Sequence, residues 1–116
     1  MDSNSLNLDQ LPIGVIVPAY NAEETIERAL MSIATQSKKP IEVVVVDDGS
    51  LDQTFKLALS MEKTLGEIKL TVLTQQNQGA AAARNFALES INVELVAFLD
   101  ADDEWLPEKL SICYDK

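Results

Sequence analysis

The sequence predicts an α/β protein: a mostly parallel sheet with helices packed on both faces. Three observations carry that expectation. Short apolar runs alternate along the chain with segments of helical periodicity. Val43–Val46 are four consecutive β-branched residues with no polar alternation, the mark of a strand covered on both sides. The length, 116 residues, suits one domain and leaves little room for two.

Each element follows from local chemistry. Strand one is "IGVIVPA" from Ile13, ended by Pro18. The next segment, "NAEETIERALMSIATQ", reads as a helix with Asn21 as N-cap and Glu24 three residues on, as in a capping box. Ile26, Ala29, Leu30, Ile33 and Ala34 repeat at helical spacing and form its apolar stripe. After the break "SKKP", "IEVVVVDDGS" is strand two. Ser50 or Asp52 caps a second helix whose core side is Leu57, Ala58, Met61 and Leu65, with Gly66 as its stop. "IKLTVLT" sets Lys69 and Thr71 between apolar residues, as a strand near the sheet edge would. Gly79 opens a third helix, "AAAARNFALES". "ELVAFLDAD" is strand four, and Pro107 begins a closing helix. Residues 1–12 read as a loose tail and 13–116 as the folded unit. The expected strand order is 3-2-1-4, with right-handed crossovers.

Composition excludes several function classes. No apolar run approaches the roughly 18 residues of a membrane span. "MDSNSLNLDQLP" has neither the basic nor the apolar region of a signal peptide. A cytoplasmic location is expected, with a peripheral position at the inner face of a membrane left open. Cys113 is the single cysteine, expected as a partly buried structural thiol. There is no histidine, so Ser–His, Cys–His and His–metal chemistry are out. The net charge of −10 argues against a nucleic-acid partner. It also means that a phosphate ligand needs local compensation for the field of the chain.

The polar residues collect at one edge of this pattern. Strand one ends in "PAYN", strand two in "DDGS" and strand four in "DADDEW". C-terminal ends of parallel strands share an edge, and open α/β sheets bind ligands there, where strand order reverses. In an extended stretch, residues two apart face one side, so Asp100 and Asp102 aim at one point while Asp103 faces away. Two unpartnered carboxylates at one point repel, and a divalent cation with oxygen preference, Mg²⁺ or Mn²⁺, removes the conflict. Each motif has a plainer use. "DDGS" makes an ordinary turn, Arg84 suits a surface ion pair, and the alanines beside it suit close helix packing. Their order and spacing together are far more informative than any one of them.

Together these stretches resemble family 2 glycosyltransferases of the GT-A fold, a Rossmann-like three-layer sandwich. "IGVIVPAYNAEETIERALMSIATQ", "EVVVVDDGSLDQT", "NQGAAAARNFAL" and "VAFLDADDEWLPEKL" carry the resemblance, from about residue 13 to about 110. It implies an inverting transferase that uses a nucleotide-diphosphate-sugar donor, with a UDP-sugar expected, and acts in polysaccharide biosynthesis on a saccharide or lipid-linked acceptor. It places the Pro18, Ala19, Tyr20, Asn21 turn along the nucleoside, with Tyr20 stacking near the base. Asp48, or alternatively Asp47, matches the acid that reads the base N–H. Asp100, Ala101 and Asp102 match the DxD motif, with Asp102 the principal metal ligand and Asp100 near the metal or ribose. Gly79 and Arg84 match positions beside the nucleotide. The family's catalytic base follows the DxD motif at a distance, and no residue here matches it, so the chain reads as the donor-binding half, truncated after that motif. Strand four is then an exposed edge, and self-association through it is a further expectation.

Two rival readings stand beside this one. A response-regulator receiver domain is also a parallel α/β sheet with acidic strand ends, but its acidic pair closes strand one, whereas Asp47–Asp48 close strand two. A dinucleotide-binding domain needs a glycine-rich turn after strand one, and "VPAYNAEE" has no glycine.

Overall fold

Val43–Val46 lie at the centre of the protein, as their lack of alternation requires. In the computed structural model, which describes residues 10–115, all four are 0% exposed. Val43 and Val45 pack with α1 (Ile26–Ala34), α2 (Thr54–Ser60), α3 (Glu62–Leu65) and α5 (Lys109–Tyr114) on one face. Val44 and Val46 pack with Ala83 and Ala87 of α4 (Ala80–Ser90) on the other. This is the three-layer arrangement.

The sheet comprises β1 (Gln10–Ala19), β2 (Lys39–Asp47), β3 (Lys69–Thr74) and β4 (Leu95–Phe98). All pairings are parallel, in the order β3-β2-β1-β4, which is the expected 3-2-1-4. β3 is an edge, in keeping with its alternation, and β4 is the other. The half-exposed Leu95 and Phe98 mark the second edge.

Local details differ from the sequence reading in four places. β1 begins at Gln10 with Leu11 buried, so the expected tail boundary at residue 12 is too late; residues 1–9 lie outside the described ones. Asn21 does not cap α1. Its φ of 48° is left-handed, and the helix starts only at Ile26. The single helix expected over 54–65 divides at Met61, whose N–H bonds to Ala58 O three residues back, a tighter turn than the α-helix. Cys113 is exposed rather than partly buried, in the last turn of α5 beyond the buried Leu110.

The closing helix is held by a residue that periodicity does not flag. Gln36, 1% exposed, donates from Nε2 to Ser32 O (3.1 Å) and Leu106 O (2.7 Å) and accepts from Leu110 N–H (2.9 Å). Three of its four hydrogen-bonding positions are thereby used, which makes burial of the amide tolerable. The segment after β4 is thus bolted to the end of α1.

Candidate functional site

The strand-end turns do converge. Asn21 N–H donates to Ser50 Oγ (2.8 Å), and Asn21 Oδ1 accepts from Leu51 N–H (2.8 Å). Ala22 N–H donates to Thr54 Oγ1 (2.7 Å), and Glu23 N–H to Asp52 Oδ2 (3.2 Å). The first-turn amides before α1 are therefore satisfied by the turn after β2, which is why Asn21 is free to take its left-handed backbone. Two loops become one rigid wall.

Beside that wall lies a cleft of about 580 Å³, lined by Pro18, Tyr20, Asn21, Asp52, Asp100, Ala101 and Asp102 among others. A smaller depression of about 90 Å³ shares Pro18, Tyr20 and Asp100 with it and adds Ala19, Asp48 and Ala80. Tyr20 is 49% exposed between them. Asp47, Gly79 and Arg84 line neither cavity; Gly79 meets the depression's Asp48 through its N–H, and Arg84 stands beside Asp100. A hollow of about 670 Å³ under Trp105–Lys109 carries none of these strand-end groups.

Asp48 is buried and fully engaged. It accepts from Gln75 Nε2 (2.8 Å), Gln78 N–H (2.8 Å), Gly79 N–H (2.9 Å) and, more loosely, Asn77 Nδ2 (3.4 Å). Burial pushes its carboxyl up, but the bonds from Gln75, Gln78 and Gly79 outweigh burial and hold it below the ordinary 3.8. Gly79 takes φ 100°, a value that favours glycine, and presents its N–H from the start of α4. A carboxylate offers about four acceptor positions, so a base N–H at Asp48 has to displace one of these donors. Asp47 is also buried and accepts from Ser50 N–H (3.2 Å).

The acidic turn after β4 is built differently. Asp103 N–H donates to Asp100 O (3.0 Å), so residues 100–103 form a turn and not an extended stretch. Carboxylate oxygens of Asp100, Asp102 and Asp103 all lie within 4.8 Å of one another, and all three residues are exposed. Asp103 therefore joins the other two, against the expectation that it faces away. Alternation by two holds only in extended backbone. Arg84 Nη2 stands 3.9 Å from Asp100 Oδ1 and its guanidinium lies 5.9 Å from the Phe98 ring centroid. Among the described residues no hydrogen bond or ion pair reaches the carboxylates of Asp102 and Asp103. Gln75, Asn77 and Gln36 are not singled out by sequence, and Asp103 is expected there to face away. Only "NQG" before a helix hinted at the Asp48 contacts.

The sequence model of glycosyl transferase family 2 matches residues 14–116. The chain belongs to that family. The receiver reading falls with this match. A 106-residue stretch-for-stretch alignment with the Escherichia coli UDP-Glc:alpha-D-GlcNAc-diphosphoundecaprenol beta-1,3-glucosyltransferase WfgD is 39% identical, covering 90% of this chain and 40% of that one. The family 2 fold recurs in Staphylococcus aureus TarS 1–349 in complex with UDP-GlcNAc: 37% identity, TM-score 0.79, 89% of this chain and 30% of that one. It recurs too in the Pyrobaculum calidifontis mannosyltransferase PcManGT in complex with GDP-Man and Mn²⁺: 37% identity, TM-score 0.75, 81% and 28% covered. The chain spans between 31% and 40% of the length of the first four curated relatives it matches. Among the described residues no helix is long and apolar enough to cross a membrane.

Proposed function

We propose that the unit expected over residues 13–116, which in the structure begins with β1 at Gln10, is the donor-binding part of an inverting glycosyltransferase that uses a nucleotide-diphosphate-sugar, in first place a UDP-sugar, with a divalent cation. The observation that carries this reading is the convergence of Asp100, Asp102 and Asp103 within 4.8 Å, the first two of which line the cleft. The donor set fits the ion. All three ligands are carboxylate oxygens, as Mg²⁺ and Mn²⁺ favour. Adjacent ligands of an octahedral Mg²⁺ at about 2.1 Å stand about 3.0 Å apart, so the three exposed side chains close in by rotation when the ion binds. Exposure suits a cation that keeps several waters. When bound, the cation offsets the diphosphate charge and stabilises the leaving group.

The chain's own residues do the remaining work. Tyr20 presents an aromatic face for the base, and Pro18, Ala19 and Asn21 hold it on a backbone locked to the β2 turn. Asp48 or Asp47 supplies the acceptor for the base N–H, with Gly79 beside them. Arg84 stands beside Asp100 and faces the donor phosphates. The acceptor is a saccharide or lipid-linked sugar, the site of action is cytoplasmic, and no residue is assigned as catalytic base. The unpaired edge of β4 supports self-association through that edge, and a strictly monomeric sedimentation profile at high concentration overturns that point.

Calorimetric titration of UDP, with and without Mn²⁺, tests the reading. Binding is expected to require Mn²⁺ and to disappear in Asp102→Ala. UDP binding that is indifferent to both, or absent from folded protein, overturns it.

A further inference from the structure

Two arginines reach the acidic turn from opposite faces of the sheet, and they touch different things. Arg84, on α4, faces Asp100, one of the three converging acids. Arg28, on α1, touches none of their carboxylates. Its Nε pairs with Glu104 Oε1 at 3.2 Å, and its Nη2 donates to the backbone carbonyl of Asp102 at 3.4 Å. Glu104 is the fourth acid of the run, one residue beyond the cluster. One guanidinium thus draws Glu104 aside and contacts the main chain in the middle of the turn, a two-point contact for which a planar fork is pre-organised.

We propose that Arg28 is a positioning residue for the acidic turn: by holding Glu104 and the Asp102 carbonyl, it keeps Asp100, Asp102 and Asp103 converged for a divalent cation. The inference rests on the metal reading above and adds a residue to it. Its geometry has a second anchor, since Gln36, two residues past the end of α1, binds Leu106 O and Leu110 N–H just downstream. Helix α1 and the turn that ends it therefore grip the segment on its way out of the acidic turn at two points, with Arg28 nearest the acids.

The sign of the effect separates positioning from bystander charge. A cation near the turn is repelled by a nearby guanidinium, so removing a mere bystander tightens Mn²⁺ binding. Removing a positioning residue weakens it. The test is Mn²⁺ titration followed by electron paramagnetic resonance on wild type and Arg28→Gln. Alongside it, NMR reads water exchange of the Asp103 amide, which donates to Asp100 O. Arg28→Gln is expected to bind Mn²⁺ about threefold to fivefold more weakly, the scale of an exposed ion pair, and to exchange the Asp103 amide faster without metal. Unchanged or tighter Mn²⁺ binding overturns the proposal. Glu104→Gln leaves Arg28 in place but removes its partner, and must also speed the Asp103 amide; an unchanged rate in both variants overturns the proposal whatever the metal does. If wild type takes up no Mn²⁺, the metal reading fails on its own, and the exchange rates alone decide whether Arg28 orders the turn.

Discussion

Two acidic strand ends, drawn from the same residue type, have opposite physical characters. At the end of β2, Asp48 is 4% exposed and ringed by donors from residues 75–79. At the end of β4, Asp100, Asp102 and Asp103 are exposed, with a single ion pair at 3.9 Å among their carboxylates. The first carboxylate spends its acceptor capacity on tying the β3–α4 loop to the sheet. The second group keeps its capacity open. A strand-end aspartate is therefore structural or chemical according to what its neighbours have already offered it.

The largest effect expected separates the two ends by what they lose. Asp48→Ala strands three backbone or amide donors and should cost about 2–3 kcal/mol, hydrogen bonds to a charged group being the strong kind. That corresponds to a drop of roughly 10 °C in Tm for a domain of this size. Asp102→Ala should leave Tm within about 2 °C, since exposed substitutions seldom exceed about 0.5 kcal/mol, while abolishing Mn²⁺-dependent UDP binding. Thermal unfolding of both variants checks the pair. Equal destabilisation by the two would erase the distinction.

A smaller effect sharpens why the β2 end is so closed. Gly49 has φ 76°, and a Cβ there would stand 2.9 Å from Asn77 N. Gly49→Ala therefore meets both a left-handed backbone, at about 1–2 kcal/mol, and the loop that Asp48 holds. Thermal unfolding should show a loss of at least that size, with the Asp48 contacts loosened. A neutral substitution would mean that the loop is not pressed against the turn.

Most of the fold was legible because its signals are local. Four valines without alternation required two covered faces, and "PAYN", "DDGS" and "DADDEW" each named a strand end. What escaped depended on partners distant in sequence. Asn21 had the look of an N-cap, yet the donors and acceptors that settle its role, Ser50 and Leu51, come from another strand end. Asp103 was assigned the wrong face because alternation presumes extended backbone, and the bond from its own N–H to Asp100 O bends the chain into a turn. Gln36 lay inside a helical stretch where periodicity records only apolar positions, so a buried amide bridging to Leu106 and Leu110 left no signal.

Acid titration of stability tests the same contrast in the protonation states. Asp48 and Asp52 both have carboxyls held below the ordinary 3.8. In each, burial raises the value, and hydrogen bonds, from Gln75, Gln78 and Gly79 to Asp48 and from Thr54 and Glu23 to Asp52, outweigh that and lower it. A depressed native pKa contributes stability that is present above 3.8 and lost as pH falls through the native value. Denaturant unfolding of wild type should therefore show a plateau above the ordinary value and a decline below it. Asp48→Asn, less stable on the plateau, should converge toward wild type as pH falls. Parallel curves would mean that the Asp48 charge contributes nothing.

The smallest effect concerns Arg84. Its side chain is 39% exposed and its distance to Asp100 is 3.9 Å, so the pair should add no more than about 1 kcal/mol to stability. Its chemical effect has a definite sign. Arg84 faces a carboxylate that the cation needs, and a guanidinium there repels the cation while attracting phosphate. Arg84→Gln should leave Tm almost unchanged, tighten Mn²⁺ binding slightly in the absence of nucleotide, and weaken UDP binding in its presence. Arg28→Gln is expected to move Mn²⁺ affinity the other way, although both substitutions remove one positive charge beside the same turn. Titrating Mn²⁺ into the two variants side by side cancels the common charge term and leaves the difference in contact: one arginine on a ligand, the other on the backbone that carries the ligands. If both variants bind Mn²⁺ more tightly, charge alone governs the turn, and neither arginine has a positional role.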